Sequence, residues 1–261
     1  MNEDEALLQA VLEHPDDDGP RLAYAEWAER QTEESIRARA GFIRAQITIL
    51  RMDDAAIDRG ESYRHETLSD RLREQYGVLW AGPIPAMAQD YAFGRGFVEY
   101  IRISARGFLD RAAELFAVAP IQHVDLTGVR DVTEELFASP YLARLRSLSM
   151  DRCGLYDIHL QMLAASVGAT NLGWLSVTNN NIDMDGIEAI PNSPYLKKLR
   201  YVDLEGNPVN PAERVATESG VVIESWLPEP GKELESRHGY LPWLHYEGAV
   251  TRFRVPPPHR S

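Results

Sequence analysis

The sequence is poor in the features that announce chemistry. A single cysteine, Cys153, occurs among 261 residues, so no intramolecular disulfide can form and no Cys-x-x-Cys pair is present for redox work or zinc. There is no Gly-x-x-x-x-Gly-Lys phosphate loop, no His-Glu-x-x-His and no Gly-x-Ser-x-Gly. Gly94-x-Gly96 lacks the third glycine of a nucleotide fingerprint. The seven histidines, at 14, 65, 123, 159, 238, 245 and 259, show no metal-ligand spacing. No apolar run approaches the roughly 18 residues of a membrane span, and the acidic start Met1-Asn2-Glu3-Asp4-Glu5 is unlike a secretory signal. Cations are outnumbered, 27 Lys and Arg against 40 Asp and Glu. A net charge of −13 works against sequence-independent nucleic-acid binding and against an anionic membrane surface. The expectation is a cytoplasmic protein with no catalytic residues, no cofactor and no metal.

What the chain does have is repetition. Leu145-x-x-Leu148-x-Met150-x-x-Cys153-x-Leu155 returns as Leu172-x-x-Leu175-x-Val177-x-x-Asn180-x-Ile182 and again as Leu199-x-x-Val202-x-Leu204-x-x-Asn207-x-Val209. This is the leucine-rich repeat signature, with its Asn/Cys alternative at the ninth position. Apolar residues at the fourth and sixth positions suit a strand that buries one face, and the ninth falls where the chain turns away. An Asn amide there can both donate to and accept from the turning backbone, and a Cys packs in the same place as a buried structural thiol. Two degenerate copies precede these, Val98-x-x-Ile101-x-Ile103 and Ile121-x-x-Val124-x-Leu126. Aligned on the fourth position, the steps are 23, 24, 27 and 27 residues, which makes five repeats over about 97–210. Helical stretches lie between the strands, at Phe108 to Val118, Thr133 to Phe137, His159 to Val167 and Met184 to Ile190.

The N-terminal eighty residues read as helices. Asn2 and Glu5 form a capping-box pattern before a first helix, and Arg21 to Gln31, Glu34 to Met52 and Glu61 to Tyr76 follow at helical spacing. Three adjacent aspartates, Asp16 to Asp18, invite a metal reading, but acidic residues beside Pro20 are what a helix start calls for.

Glu5-Ala6-Leu7-Leu8, His14-Pro15-Asp16-Asp17-Asp18-Gly19-Pro20-Arg21-Leu22-Ala23-Tyr24-Ala25-Glu26-Trp27 and Phe42-Ile43-Arg44-Ala45-Gln46 together resemble the bacterial repeat-companion domain. That helical module stands at the N-terminus of paralogous proteins, often ahead of leucine-rich repeats. The likeness covers residues 1–50 and extends more loosely through Tyr76-Gly77-Val78-Leu79-Trp80 and Gly94-Arg95-Gly96-Phe97-Val98. It implies an architecture and carries no active-site residues. The expected fold is therefore α/β. A helical domain (1–80) and a connector (81–96) lead into a short repeat solenoid (97–210) with a parallel concave sheet and convex helices. A C-terminal cap and extension (211–261) follow, with a strand at Val221-Val222-Ile223, aromatics Tyr240, Trp243 and Tyr246, and the tail Val255 to Ser261.

Strand alternation turns the third, fifth and seventh repeat positions outward. The third column reads Tyr100, His123, Ser147, Trp174, Tyr201, the fifth Arg102, Asp125, Ser149, Ser176, Asp203, and the seventh Ser104, Thr127, Asp151, Thr178, Glu205. Trp174 and Tyr201 fall on adjacent strands, with Asp125, Asp151, Asp203 and Glu205 around them. Aromatic area inside a charged rim suits a protein-binding hot spot. The functional expectation is a non-enzymatic module that binds a protein or peptide, basic by this rim, through Tyr100, His123, Asp125, Asp151, Trp174, Tyr201, Asp203 and Glu205. Two other readings stand beside it: a target recognised through its C-terminal tail, and an enzyme or metal-dependent regulator acting near Asp16 to Asp18 and Trp27.

Overall fold

The computed structural model describes residues 2–216 and 223–245. Helices α1 (Glu3–Glu13), α2 (Asp18–Glu29), α3 (Glu34–Arg51), α4 (Asp54–Asp58), α5 (Tyr63–Ala81) and the single turn α6 (Ile84–Met87) come first. The strands β1 (Asp90–Gly94), β2 (Phe97–Ser104), β3 (His123–Thr127), β4 (Ser147–Ser149), β5 (Trp174–Ser176) and β6 (Tyr201–Asp203) then alternate with α7 (Ala105–Val118), α8 (Thr133–Ala138), α9 (Asp157–Ala164), α10 (Met184–Ile187) and α11 (Ala189–Asn192). These six strands make one mostly parallel sheet in sequence order. An antiparallel pair, β7 (Glu213–Ala216) with β8 (Ile223–Trp226), and helix α12 (Glu229–His238) close the described chain. The chain is thus α/β. It divides into two compact units, residues 2–101 with 113–121, and residues 102–112 with the described chain from 122 onward.

In the first unit the capping box is present, Asn2 Oδ1 accepting from Glu5 N–H at 2.8 Å and Glu5 Oε2 from Asn2 N–H at 3.0 Å. Asp17 caps α2 by accepting from Gly19 N–H at 2.8 Å. Helices α1, α2 and α3 bury Val11, Tyr24, Trp27, Ile43 and Ile47 in one cluster with Phe97 from β2. Tyr24 meets both Trp27 and Phe97 edge-on, each pair 5.3 Å between ring centroids.

Against that cluster lies an ion pair with almost no access to water. Arg21 is fully buried, its Nη2 2.6 Å from Glu99 Oε1 and 2.9 Å from the Pro15 carbonyl. Arg95 reaches the same Glu99 oxygen at 2.8 Å, Asp18 at 3.3 Å and the Pro15 carbonyl at 2.9 Å. Burial pulls the Arg21 guanidinium down to about 10 even though Glu99 pulls the other way, so it stays charged at neutral pH. The segment read as a connector contains β1, which folds back on β2 through Arg95 and Gly96, both at positive φ (51° and 89°) as a tight hairpin turn requires. A Cβ on Gly96 would stand 2.1 Å from Ile43 Cγ1. This hairpin, invisible in a stretch rich in Pro and Gly, presents Arg95 and Gly96 to the helices.

In the second unit the repeat positions are in register. Val124, Leu148, Leu175 and Val202 pair across four strands, and all are buried. Asn180 carries the turn that follows β5. Its Nδ2 lies within hydrogen-bonding distance of the carbonyls of Val177 (2.8 Å), Met150 (3.0 Å) and Thr178 (3.2 Å), while its Oδ1 accepts from Cys153 and Leu155 N–H, both at 3.0 Å. Asn207 repeats the pattern one strand on, donating to Val177 and Leu204 carbonyls and accepting from Ile182 N–H. Cys153 stands in the equivalent place, with Sγ 3.3 Å from the Leu126 carbonyl. Burial raises its thiol pKa, as a packing role expects. A second ladder runs through buried Ser166 and Ser193, whose hydroxyls donate at 2.5 Å to the Phe137 and Ala164 carbonyls.

Two stability predictions follow from these buried polar groups. Glu99→Gln leaves two arginines without their shared carboxylate and should cost about 3–5 kcal/mol in urea unfolding, whereas Arg51→Ala, which removes an exposed guanidinium from Asp18 and leaves Asp18 its pairing with Arg95, should cost under about 1 kcal/mol. Asn180→Ala strands two buried N–H groups and should lower stability by about 3 kcal/mol or more, measured the same way, while Asn192→Ala, at the exposed last residue of α11, should be near neutral.

Candidate functional site

The sheet face is the place to look for function because it is where the side chains of β3 to β6 leave the core. Outward positions align across the strands: His123 beside Ser147, Ser147 beside Trp174, Trp174 beside Tyr201, and Asp125, Ser149, Ser176 and Asp203 in the next row. The structure brings Trp174 and Tyr201 together as a parallel stack, 5.2 Å between centroids and 7° between planes.

The alternation rule gave direction, and burial corrects three of the predicted contacts. Tyr100 and His123 are 9% and 7% exposed, too enclosed to offer surface. Tyr201 is 7% exposed; the helical turn Pro242–Leu244 packs against β6, and Trp243 within it is itself buried. Only Trp174 of the aromatic column stays partly open. Tyr201 is its support, stacked beneath and with its hydroxyl 3.4 Å from Asp203.

The acidic rim is also partly consumed. Asp151 Oδ1 accepts from Ser176 Oγ at 2.6 Å and from Thr178 N–H at 2.8 Å, which ties β4 to the end of β5. Asp125 lies 3.5 Å from Arg102. Asp203 accepts from Glu205 N–H at 3.2 Å, and the Glu205 side chain is exposed. The open part of the face is therefore Trp174, the small Ser147 and Ser149 beside it, and the carboxylates of Asp125, Asp203 and Glu205.

Sequence reasoning missed the cations just ahead of the strands. Arg144, Lys197, Lys198 and Arg200 are exposed and Arg146 is half-buried. They sit at the repeat positions immediately preceding β4 and β6, and hydrogen bonds hold them in register. Gly173 N–H donates to the Arg146 carbonyl and Arg200 N–H to the Gly173 carbonyl. Lys198 Nζ donates to Asn171 Oδ1 at 2.6 Å, and Asn171 Nδ2 to the Ala143 carbonyl at 2.7 Å. The signal was present in the doublets Arg144-Leu145-Arg146 and Lys197-Lys198-Leu199-Arg200, but a search restricted to outward strand positions passes over them.

The other sequence-level candidates are accounted for by structure. Asp17 caps α2 and Asp18 pairs with Arg51 and Arg95, while Trp27 lies in the core. Among the described residues, no three His, Cys, Asp or Glu side chains could hold a metal ion. His238 and His245 are not partners of each other: His238 meets Glu188 at 2.5 Å and His245 meets Glu235 at 2.8 Å, with Arg237 also against Glu188. The Glu188 contacts hold α12 to the end of α10, and the Glu235 contact holds the following turn to α12. Among the described residues no helix is long and apolar enough to cross a membrane. Residues Val221, Val222, Tyr246 and the tail 255–261 lie outside the described residues.

Burial separates the two stacked rings in a measurable way. Tyr201→Ala should cost about 3–5 kcal/mol in denaturant unfolding, as for a core aromatic, while Trp174→Ala should lose only about 1 kcal/mol of stacking. Equal costs would mean that the exposed and supporting roles are misassigned. Compared with protein-family models, with curated proteins and with solved structures, the chain has no match.

Proposed function

We propose that this chain is a non-enzymatic interaction protein: a helical module of the repeat-companion type fused to a short leucine-rich-repeat solenoid, which binds a protein or peptide through the concave face of its strands. The observation that carries the reading is Trp174. It lies on a strand face, partly open, stacked flat on a buried tyrosine, with serines rather than bulky residues on the neighbouring strand. A large ring held rigid by packing loses little entropy on binding, and small neighbours leave room for a partner's side chain to reach it. The repeat reading is supported by the ninth-position amides of Asn180 and Asn207, which make equivalent hydrogen bonds one strand apart, with Cys153 in the same place before them. The helical-module reading is supported by the way His14 to Trp27, Phe42 to Gln46 and Gly94 to Phe97 all meet at one core, with Gln46 Oε1 accepting from Gly96 N–H at 2.7 Å. The partner, on this reading, meets the protein side on through a face that is preformed.

Trp174→Ala should weaken partner binding by about 2 kcal/mol or more, the range of an interface hot spot, read by titration calorimetry with a partner isolated by affinity capture. Thermal stability should fall only slightly in the same variant. Undiminished affinity would remove this face from consideration.

A further inference from the structure

The chain segments that border the Trp174 face at its two ends differ in charge, the Arg200 guanidinium lying at one border where it donates to the Leu199 carbonyl at 2.9 Å. The segments that enter the strands, 119–122, 143–146, 170–173 and 197–200, contain no carboxylate and five cations. Register places Arg146 and Arg200 two strands apart on the same row, about 10 Å by strand spacing. At the other end Asp203 and Glu205 follow on the strand that Arg200 leads, and among the described residues there Arg102 is 3.5 Å from Asp125 and Arg152 follows Asp151. Arg200 immediately precedes β6 and Glu205 lies in the turn that follows it, so the two stand at opposite ends of that strand. Trp174 sits between these ends on the adjacent strand. In a chain of net charge −13 such a cationic end is not a by-product of composition.

We propose that the face takes an extended peptide segment of mixed charge that runs along the strands, its acidic side chain at the Arg146/Arg200 end, its basic side chain at the Asp203/Glu205 end, and an apolar or aromatic residue between them on Trp174. This rests on the interaction reading above and narrows it. A uniformly basic segment would gain at one end and be repelled at the other, and like-charge contacts in a partly desolvated face cost more than the matching pair gains. Opposite charges at a fixed separation therefore select partners by charge spacing, and net charge alone becomes a poor guide to what binds.

The test is to pan a random 12-residue display library against the full chain and to keep clones whose binding is lost with Trp174→Ala. The retained clones should carry an acidic and a basic residue flanking an apolar one. Their affinity, read by fluorescence anisotropy of the synthetic peptide, should fall about tenfold with Arg200→Glu and again with Glu205→Lys. Replacing the peptide's acidic residue by Ser should abolish sensitivity to Arg200→Glu and leave sensitivity to Glu205→Lys intact. Circular dichroism melts that match the parent establish that both exposed-site variants fold. Retained clones of a single charge sign, or mixed-charge clones indifferent to both variants, overturn the polarity and leave the interaction reading standing. Failure to recover any Trp174-dependent clone overturns the interaction reading itself.

Discussion

A backbone that turns inside its own core must find partners for the N–H and C=O groups it carries there, and both units of this protein are arranged around meeting that demand. In the first unit the guanidinium groups of Arg21 and Arg95 accept the task. They hold the carbonyls of Pro15, Asp16 and Gly94 where the chain leaves α1 and where it turns between β1 and β2. In the second, the amides of Asn180 and Asn207 and the thiol of Cys153 do the same for successive turns, while Ser166 and Ser193 serve the carbonyls of Phe137 and Ala164. An Asn can serve several groups at once because it is both donor and acceptor. A Cys has only one weak hydrogen to give, so Cys153 occupies the place with less bonding.

The two solutions differ in their energetic character. Neutral amides and hydroxyls lose little on burial once their hydrogen bonds are made, so each of these side chains adds to stability. The Arg21–Glu99 pair is held against a desolvation penalty, and its worth lies less in net stability than in what it forbids. Glu99 can only be buried if Arg21 and Arg95 are both in place, and they are in place only when the loop at Pro15 and the turn at Gly96 have formed. Phe97 contributes from the same strand, with Arg39 lying 4.5 Å from its ring centroid and Arg21 5.5 Å. The structure ties residues some eighty apart in sequence into one all-or-none arrangement.

What could be read from the sequence follows from which interactions are local or periodic. Helix starts at Asn2 and Asp17, the in-register Val124, Leu148, Leu175 and Val202, and the pairing of Trp174 with Tyr201 all follow from spacing. The β1–β2 hairpin does not, because Pro83, Pro85 and the glycines hide it and its turn is held by the distant Arg21 and Gln46. The serine ladder was legible and overlooked: Ser139-Pro140-Tyr141-Leu142 returns as Ser193-Pro194-Tyr195-Leu196, and Ser166 lies midway between them. Periodicity also says which way a side chain points without saying what lies over it. Tyr201 points as expected and is covered all the same, because the turn Pro242–Leu244 comes from forty residues away.

That covering changes what the face can be. If Tyr201 and Trp174 were both open, the site would be a broad apolar patch, tolerant of many partners and prone to self-association. With Tyr201 enclosed, one ring remains, backed by a rigid partner, and the apolar area on offer is small. On the proposed binding reading, affinity from such a surface has to come from elsewhere, and what the described residues add beside the small serines is charge. The residues that supply it divide by position, cations ahead of β4 and β6 and carboxylates on β3 and β6 or just beyond, so that on this reading a matched partner gains at both ends and a mismatched one is opposed at one. On the proposed binding reading, the burial of a single tyrosine shifts the burden of recognition from hydrophobic area to the placement of charge, which favours specificity and association rate over tight binding.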